Sequence, residues 1–182
     1  MKINISRIVA AQVRTLRNNA TQTYSVFDLV LFFVFPILLG VAGAYYGWKF
    51  NGEALNALLA AFSIFAGLLL NLLILVYTLS SQTEHPPVLA KARLGLVKEL
   101  HDNIAYSILV SIVIVVVSMV AVAHLNMHEK QGEPAFTARW VAGLIIFLTT
   151  NFVLTLLMIL KRIYIMLNQA IDKPFISGKK IA

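Results

Sequence analysis

Cysteine is absent from this chain of 182 residues, and charge is scarce. Without cysteine there is no disulfide framework, no thiolate nucleophile and no thiolate metal site. Asp, Glu, Lys and Arg make up 13% of the residues, against about 25% in ordinary soluble domains. Nucleophile elbows, Walker loops, paired catalytic carboxylates and zinc-protease helices are missing as well. The long apolar stretches carry no Asp, Glu, Lys or Arg in their cores. That removes the titratable centre an intramembrane hydrolase or a proton-coupled transporter needs near the midplane. The chain reads as a non-enzyme that takes no cofactor.

What is present is hydrocarbon. Hydrophobic residues make up 59% of the chain, and the mean hydropathy is +0.82. A soluble domain cannot cover so much apolar surface with so few charges. Four stretches without formal charge, Leu29 to Trp48, Ala54 to Leu79, Ile104 to Leu125 and Val141 to Leu160, approach or exceed the roughly 20 apolar residues a membrane span requires. The fold class expected is therefore an all-α integral membrane protein. Residues 1–182 form a single four-span domain, with spans at about 27–48, 54–80, 104–125 and 140–161. The connecting segments 1–26, 81–103 and 162–182 are expected in the cytoplasm.

Charge sets that orientation. The net charge is +7. Lys2, Arg7, Arg14 and Arg17 precede the first span; Lys91, Arg93 and Lys98 lie between the second and third; Lys161, Arg162, Lys173, Lys179 and Lys180 follow the fourth. The opposite side holds only Lys49, Lys130 and Arg139, matched by Glu53, Glu129 and Glu133. Basic residues stay on the cytoplasmic side, which places both termini there. Trp48 and Trp140 then fall at the outer interface with Tyr45 and Tyr46, where amphipathic rings anchor a span.

Two amphipathic segments are expected on the cytoplasmic face. Ile5, Ile8, Val9, Val13 and Leu16 form an N-terminal helical stripe, with Arg7, Arg14 and Arg17 on the other side. Pro86 and Pro87 end one helix and can start another. Leu89, Ala92, Leu96 and Leu100 then form a stripe opposite Lys91 and Lys98. This predicts a cytoplasmic helix between spans two and three, either separate or an extension of the third span. Arg7, Arg14, Arg17, Lys91, Arg93 and Lys98 become a candidate surface for anionic lipid and a protein partner.

Small and polar residues fall at helical spacing inside the spans. Ser63, Gly67, Asn71 and Thr78 share a face of the second; Ser107, Ser111 and Ser118 share one on the third; Asn151 and Thr155 lie four apart on the fourth. Gly40, Gly43, Ala44 and Gly47 follow Pro36 in the first. Such residues let helices approach and bond across the contact, or they line a pore. Ser63, Gly67, Asn71, Thr78 and Ser111 are the candidates for intramembrane packing or a pore. His124 and His128 are four apart near Glu129 and Glu133, but no third ligand or zinc signature accompanies them, and no metal is expected.

With its segments "LFFVFPILLGVAGAYYGW" and "LLAAFSIFAGLLLNLLILVY", small size, short outer loops and basic cytoplasmic face, the chain resembles the membrane subunit of the Kiwa anti-phage defence system, the KwaA family. The resemblance spans the chain but is architectural, and no functional residue is carried over. It implies a homotetramer in the bacterial inner membrane that senses phage infection and recruits a cytoplasmic DNA-binding effector, KwaB-like, with no direct contact to nucleic acid. The function expected is an oligomeric membrane sensor or scaffold that detects membrane perturbation. A small ion channel or holin-like pore is the alternative, and a transporter or a metal-handling protein using the two histidines is a third reading.

Overall fold

The computed structural model describes residues 30–81, 87–128 and 137–171. Among them the structure is all-helical. A π-helical turn, Val30–Val34, leads into α1, Phe35–Tyr45; α2 is Gly52–Ser81, α3 is Pro87–His128 and α4 is Arg139–Ile171. Three helices are long and apolar enough to cross a membrane, over Gly52–Thr78, Val97–Met127 and Arg139–Ile165. The apolar helix of the first segment, Phe32–Tyr45, is shorter than these. The expected N-terminal amphipathic helix lies outside the described residues, as do 82–86, 129–136 and the tail from 172.

Proline sets the start of α1. Pro36 sits in its first turn and is fully buried. It has no N–H, so the carbonyl four residues earlier, on Phe32, loses its α-helical donor. The π turn lies immediately before, where such a break in the hydrogen-bond ladder is commonly absorbed. Glycine sets the end. Gly47 has φ 71, the left-handed region. Its N–H donates to Ala44 O (3.3 Å) and that of Trp48 to Gly43 O (2.9 Å), the paired bonds of a Schellman cap. The first span expected to Trp48 therefore stops as a helix at Tyr45.

The helix expected between spans two and three is not a separate element. α3 runs unbroken for 42 residues from Pro87, where proline is compatible with a helix start, to His128. Nothing in between breaks it, since a single glycine, Gly95, costs at most about 1 kcal/mol. At about 1.5 Å per residue α3 is roughly 63 Å long, about twice the hydrocarbon core of a bilayer. α4 likewise continues to Ile171, beyond the 161 expected.

The helices are antiparallel neighbours in the order α2, α3, α4, α1. Leu55 of α2 packs with Ala121 and Leu125 of α3 and Ile145 of α4 at one end. Phe62, Leu69 and Val76 meet Val97, Leu100, Ile104, Ile108 and Ile114, with Phe152 and Ile159 of α4, along the rest. Phe62 and Phe152 stack edge-on, with centroids 5.0 Å apart, bringing α2 to α4. α1 crosses α4 through glycine. A Cβ added at Gly143 would lie 2.7 Å from Gly40 O and 3.0 Å from Ala44 Cβ; one added at Gly40 would lie 2.8 Å from Gly143 O. Gly43 faces Ile146 with no room for a side chain.

The Gly40–Gly143 contact is backbone against backbone, so it cannot yield by a rotamer change, whereas the Ile146 side chain opposite Gly43 can move. Gly143→Ala is expected to destabilise the protein by about 1–3 kcal/mol, the usual cost of overpacking. Gly95→Ala, where a Cβ meets nothing within 4 Å, is the control and should be neutral or gain up to about 1 kcal/mol in helix propensity. Reversible unfolding of both variants in detergent micelles checks the contrast; equal stability would mean α1 does not dock on α4 through these glycines.

Candidate functional site, a buried polar seam

Polar side chains are collected on two facing stripes. On α3, Asn103, Ser107, Ser111 and Ser118 are fully buried. On α4, Asn151, Thr155 and Arg162 are buried, at spacings of four and seven. The antiparallel packing aligns the stripes, because Tyr106 of α3 meets Asn151 of α4 and Glu99 meets Arg162. In lipid the interior of such a protein is where polar groups belong, since hydrocarbon offers them no partner.

Asn151 is the centre of the seam. Its Oδ1 accepts from the Tyr106 hydroxyl at 2.8 Å, and its Nδ2 donates to Phe32 O at 3.1 Å. Phe32 O is the carbonyl that Pro36 leaves without a helical donor. One amide thus joins α3, α4 and the segment before α1, and repairs the backbone break the proline introduces. The hydroxyls around it are bonded locally: Ser111 donates to Ile108 O at 2.8 Å and Thr155 to Asn151 O at 2.9 Å. Ser107 and Ser118 have enclosed hydroxyls without a hydrogen-bond partner among the described residues, and their small size is what admits the neighbouring helix.

At the end away from the tryptophans the seam closes on charge. Arg162 and Glu99 stand 3.2 Å apart, their side chains 9% and 24% exposed. The atoms are close enough to pair as charges, though their alignment falls short of a hydrogen bond. Asp102, one turn along α3, adds a second attraction to Arg162. The pair lies at the edge of the apolar stretches of both helices, so it ties α3 to α4 where they leave the hydrocarbon.

The expected site residues are placed as follows. Ser63, Gly67, Asn71 and Thr78 do share a face of α2, but it is the exposed face, turned away from the bundle. Ser63 and Thr78 donate back to Leu59 O (2.7 Å) and Leu75 O (2.8 Å) of their own helix. Ser111 lies inside. Lys98 is exposed, and Lys91 and Arg93 lie in the first two turns of α3; Arg7, Arg14 and Arg17 fall outside the described residues. His124 is exposed near the end of α3, and among the described residues no three His, Asp or Glu side chains gather as a metal set.

Asn103, Tyr106, Glu99 and Arg162 were not singled out from the sequence as seam residues. Asn103 extends the serine stripe by one turn, and Arg162 continues the buried run of Phe152, Thr155 and Ile159; helical spacing carries both signals. No family model matches this chain, and neither does a curated protein or a solved structure.

Proposed function

We propose that this protein is an oligomeric membrane sensor or scaffold that detects a disturbance of the bilayer and recruits a cytoplasmic effector. The observation that carries the reading is the continuity of α3. A single rigid helix runs from the membrane interior to residues 87–96 beyond its apolar stretch, and Glu99–Arg162 couples it to α4 at the point of exit. A change in tilt or thickness at the lipid-facing surface is then delivered to the segment bearing Lys91, Arg93 and Lys98. In this reading the first segment crosses too, antiparallel to α4, giving four spans with both termini in the cytoplasm, as the basic residues require.

Oligomerisation is supported by Asn71. Its amide is exposed on α2, within the apolar stretch Gly52–Thr78, and a second copy of the chain supplies a partner that lipid cannot. The Kiwa resemblance fits the same reading: the bilayer would be the bacterial inner membrane, the disturbance phage infection, the assembly a homotetramer and the effector a KwaB-like protein. A small channel or holin-like pore is the second reading, favoured by the same exposed stripe. It is the weaker one, because Ser63 and Thr78 donate to their own helix and offer a path only their oxygen lone pairs beside the amide of Asn71.

The test is partner capture by the full chain in nanodiscs. Lys91→Glu, Arg93→Glu and Lys98→Glu combined should lower effector retention on the order of a hundredfold, from about 1 kcal/mol per base, and added salt should mimic the loss. Protease accessibility must show unchanged insertion. Full retention by correctly inserted variants overturns the reading, and single-channel conductance from the purified protein supports the pore instead.

A further inference from the structure

α2 stands at the edge of the bundle and turns one face away from it. Phe62, Leu69 and Val76 pack inward. Ser63, Gly67, Asn71, Ile74 and Thr78 follow one another at helical spacing on the opposite side, and all are exposed. Exposure here means contact with hydrocarbon, because the stripe falls within the apolar stretch Gly52–Thr78. Ile74 is at home there; an unpaired amide is strongly disfavoured. Asn71 sits seven residues inside the end of that stretch, about 10 Å at 1.5 Å per residue, too deep for its short side chain to reach water.

The two hydroxyls of the stripe are satisfied by their own helix, Ser63 on Leu59 O and Thr78 on Leu75 O. The Asn71 amide has no hydrogen-bond partner among the described residues. Gly67, one turn before it, is a second residue that the chain's own packing does not call for. A Cβ added there would meet nothing within 4 Å, and a glycine weakens a helix interior. Gly40 and Gly143 show the other case, since a Cβ on either would strike the facing backbone. Open space beside a glycine in lipid suits the close approach of a helix from outside the chain.

Resting on the oligomeric reading above, we infer that this face of α2 is the contact between copies of the chain, the Asn71 amide of one copy bonding the Asn71 amide of the next beside Gly67. The membrane selects the occupant. Every copy is oriented by the same basic residues, so copies are related by rotation about the membrane normal and residue 71 of each lies at the same depth. An amide carries both donor and acceptor, so it is its own complement there. In a two-fold pair each Nδ2 donates to the other's Oδ1; a larger closed ring passes the same bond from copy to copy. A foreign helix satisfies the amide only if it carries a polar group at this depth, whereas a copy always does.

Because the chain has no cysteine, single-cysteine variants of the full chain, purified and reconstituted in liposomes, report this contact directly. Ile74→Cys lies on the stripe and leaves Gly67 and Asn71 in place; Leu68→Cys, exposed on the flank of α2, is the control. Oxidation with copper phenanthroline should join Ile74→Cys chains covalently and leave Leu68→Cys chains largely single. Adding Asn71→Leu to Ile74→Cys should weaken association roughly tenfold, the worth of about one side-chain bond in lipid. Asn71→Gln keeps an amide and should retain part of it. These substitutions face away from α3, and helical circular dichroism confirms that each variant folds. Stepwise photobleaching of the fluorescently tagged chain counts copies independently. Several copies per particle without an Ile74→Cys cross-link, or cross-linking unmoved by Asn71→Leu, overturns this contact and leaves the oligomeric reading standing; one copy per particle overturns both.

Discussion

Glu99→Leu should destabilise this protein far more than Arg162→Met, although each removes the same ion pair. Removing Glu99 leaves a guanidinium whose side chain is 9% exposed packed between two helices, without its nearest counter-charge and with Asp102 still attracting it. Breaking a buried pair from one side costs about 3–5 kcal/mol, most of it the stranded charge. Removing Arg162 instead leaves a carboxylate that is 24% exposed and sits at the edge of the apolar stretch, where it reaches water; that loss should be about 1–2 kcal/mol. The double variant Glu99→Leu/Arg162→Met replaces the pair by packed hydrocarbon and should return to within about 1 kcal/mol of the original stability. Reversible unfolding in bicelles measures all four corners of the cycle. Additive losses would show that the two residues do not act as a pair. On the proposed sensor reading, the double variant also separates stability from signalling: it is expected to fold and yet lose recruitment of the proposed effector, because hydrocarbon packing permits α3 to slide on α4 where the charge pair holds one register.

Three of the four expected spans were readable as long apolar helices, because hydrophobic length is a property of a continuous stretch. Gly52–Ser81 and the start of α4 at Arg139 fall within two residues of where the uncharged runs place them. Periodicity was readable too: the serines of α3, and Asn151 with Thr155, do lie on buried faces. What spacing cannot tell is which way a face points. Ser63, Gly67 and Asn71 repeat every four residues, as Ser107 and Ser111 do, yet one set faces outward and the other inward, because the facing residues come from a different helix. Arg162 illustrates a second limit. Counted by position it belongs with the basic tail, but its helix runs on past it, and one further turn of the buried stripe carries it inside. The bond from Asn151 to Phe32 is the least legible of all, since its partners are 119 residues apart and one of them is a backbone carbonyl exposed by a proline four residues away.

Asn151→Leu tests that long-range bond and should be the second severe lesion. Leucine matches asparagine in branching and heavy-atom count and is tolerated by lipid, so the loss is mainly that of the amide, with some overpacking from the bulkier methyls. Tyr106 loses its acceptor and Phe32 O its donor, both in an interior that water reaches poorly. Measured side-chain bonds in lipid average about 0.6 kcal/mol and reach about 1.7, but leaving a buried group unsatisfied costs about 1–3 kcal/mol. Two such groups give an expected loss of about 2–5 kcal/mol. The components separate by compensation. Tyr106→Phe removes the orphaned hydroxyl and should recover part of the loss in the Asn151→Leu background while costing stability on its own. Pro36→Ala restores the N–H at position 36, so it should recover a further part by returning an α-helical donor to Phe32 O. In the original background the restored N–H adds a second bond to a carbonyl that Asn151 already serves, which should be worth less than the first. The difference between the two backgrounds is therefore the quantity to measure, by unfolding in bicelles and by the amide-I shift of a carbon-13 label at Phe32. A Pro36→Ala effect that is the same with and without Asn151, or a Phe32 carbonyl band unmoved by Asn151→Leu, would show that the amide does not repair the proline break and that α1 is held to α4 by its glycines alone.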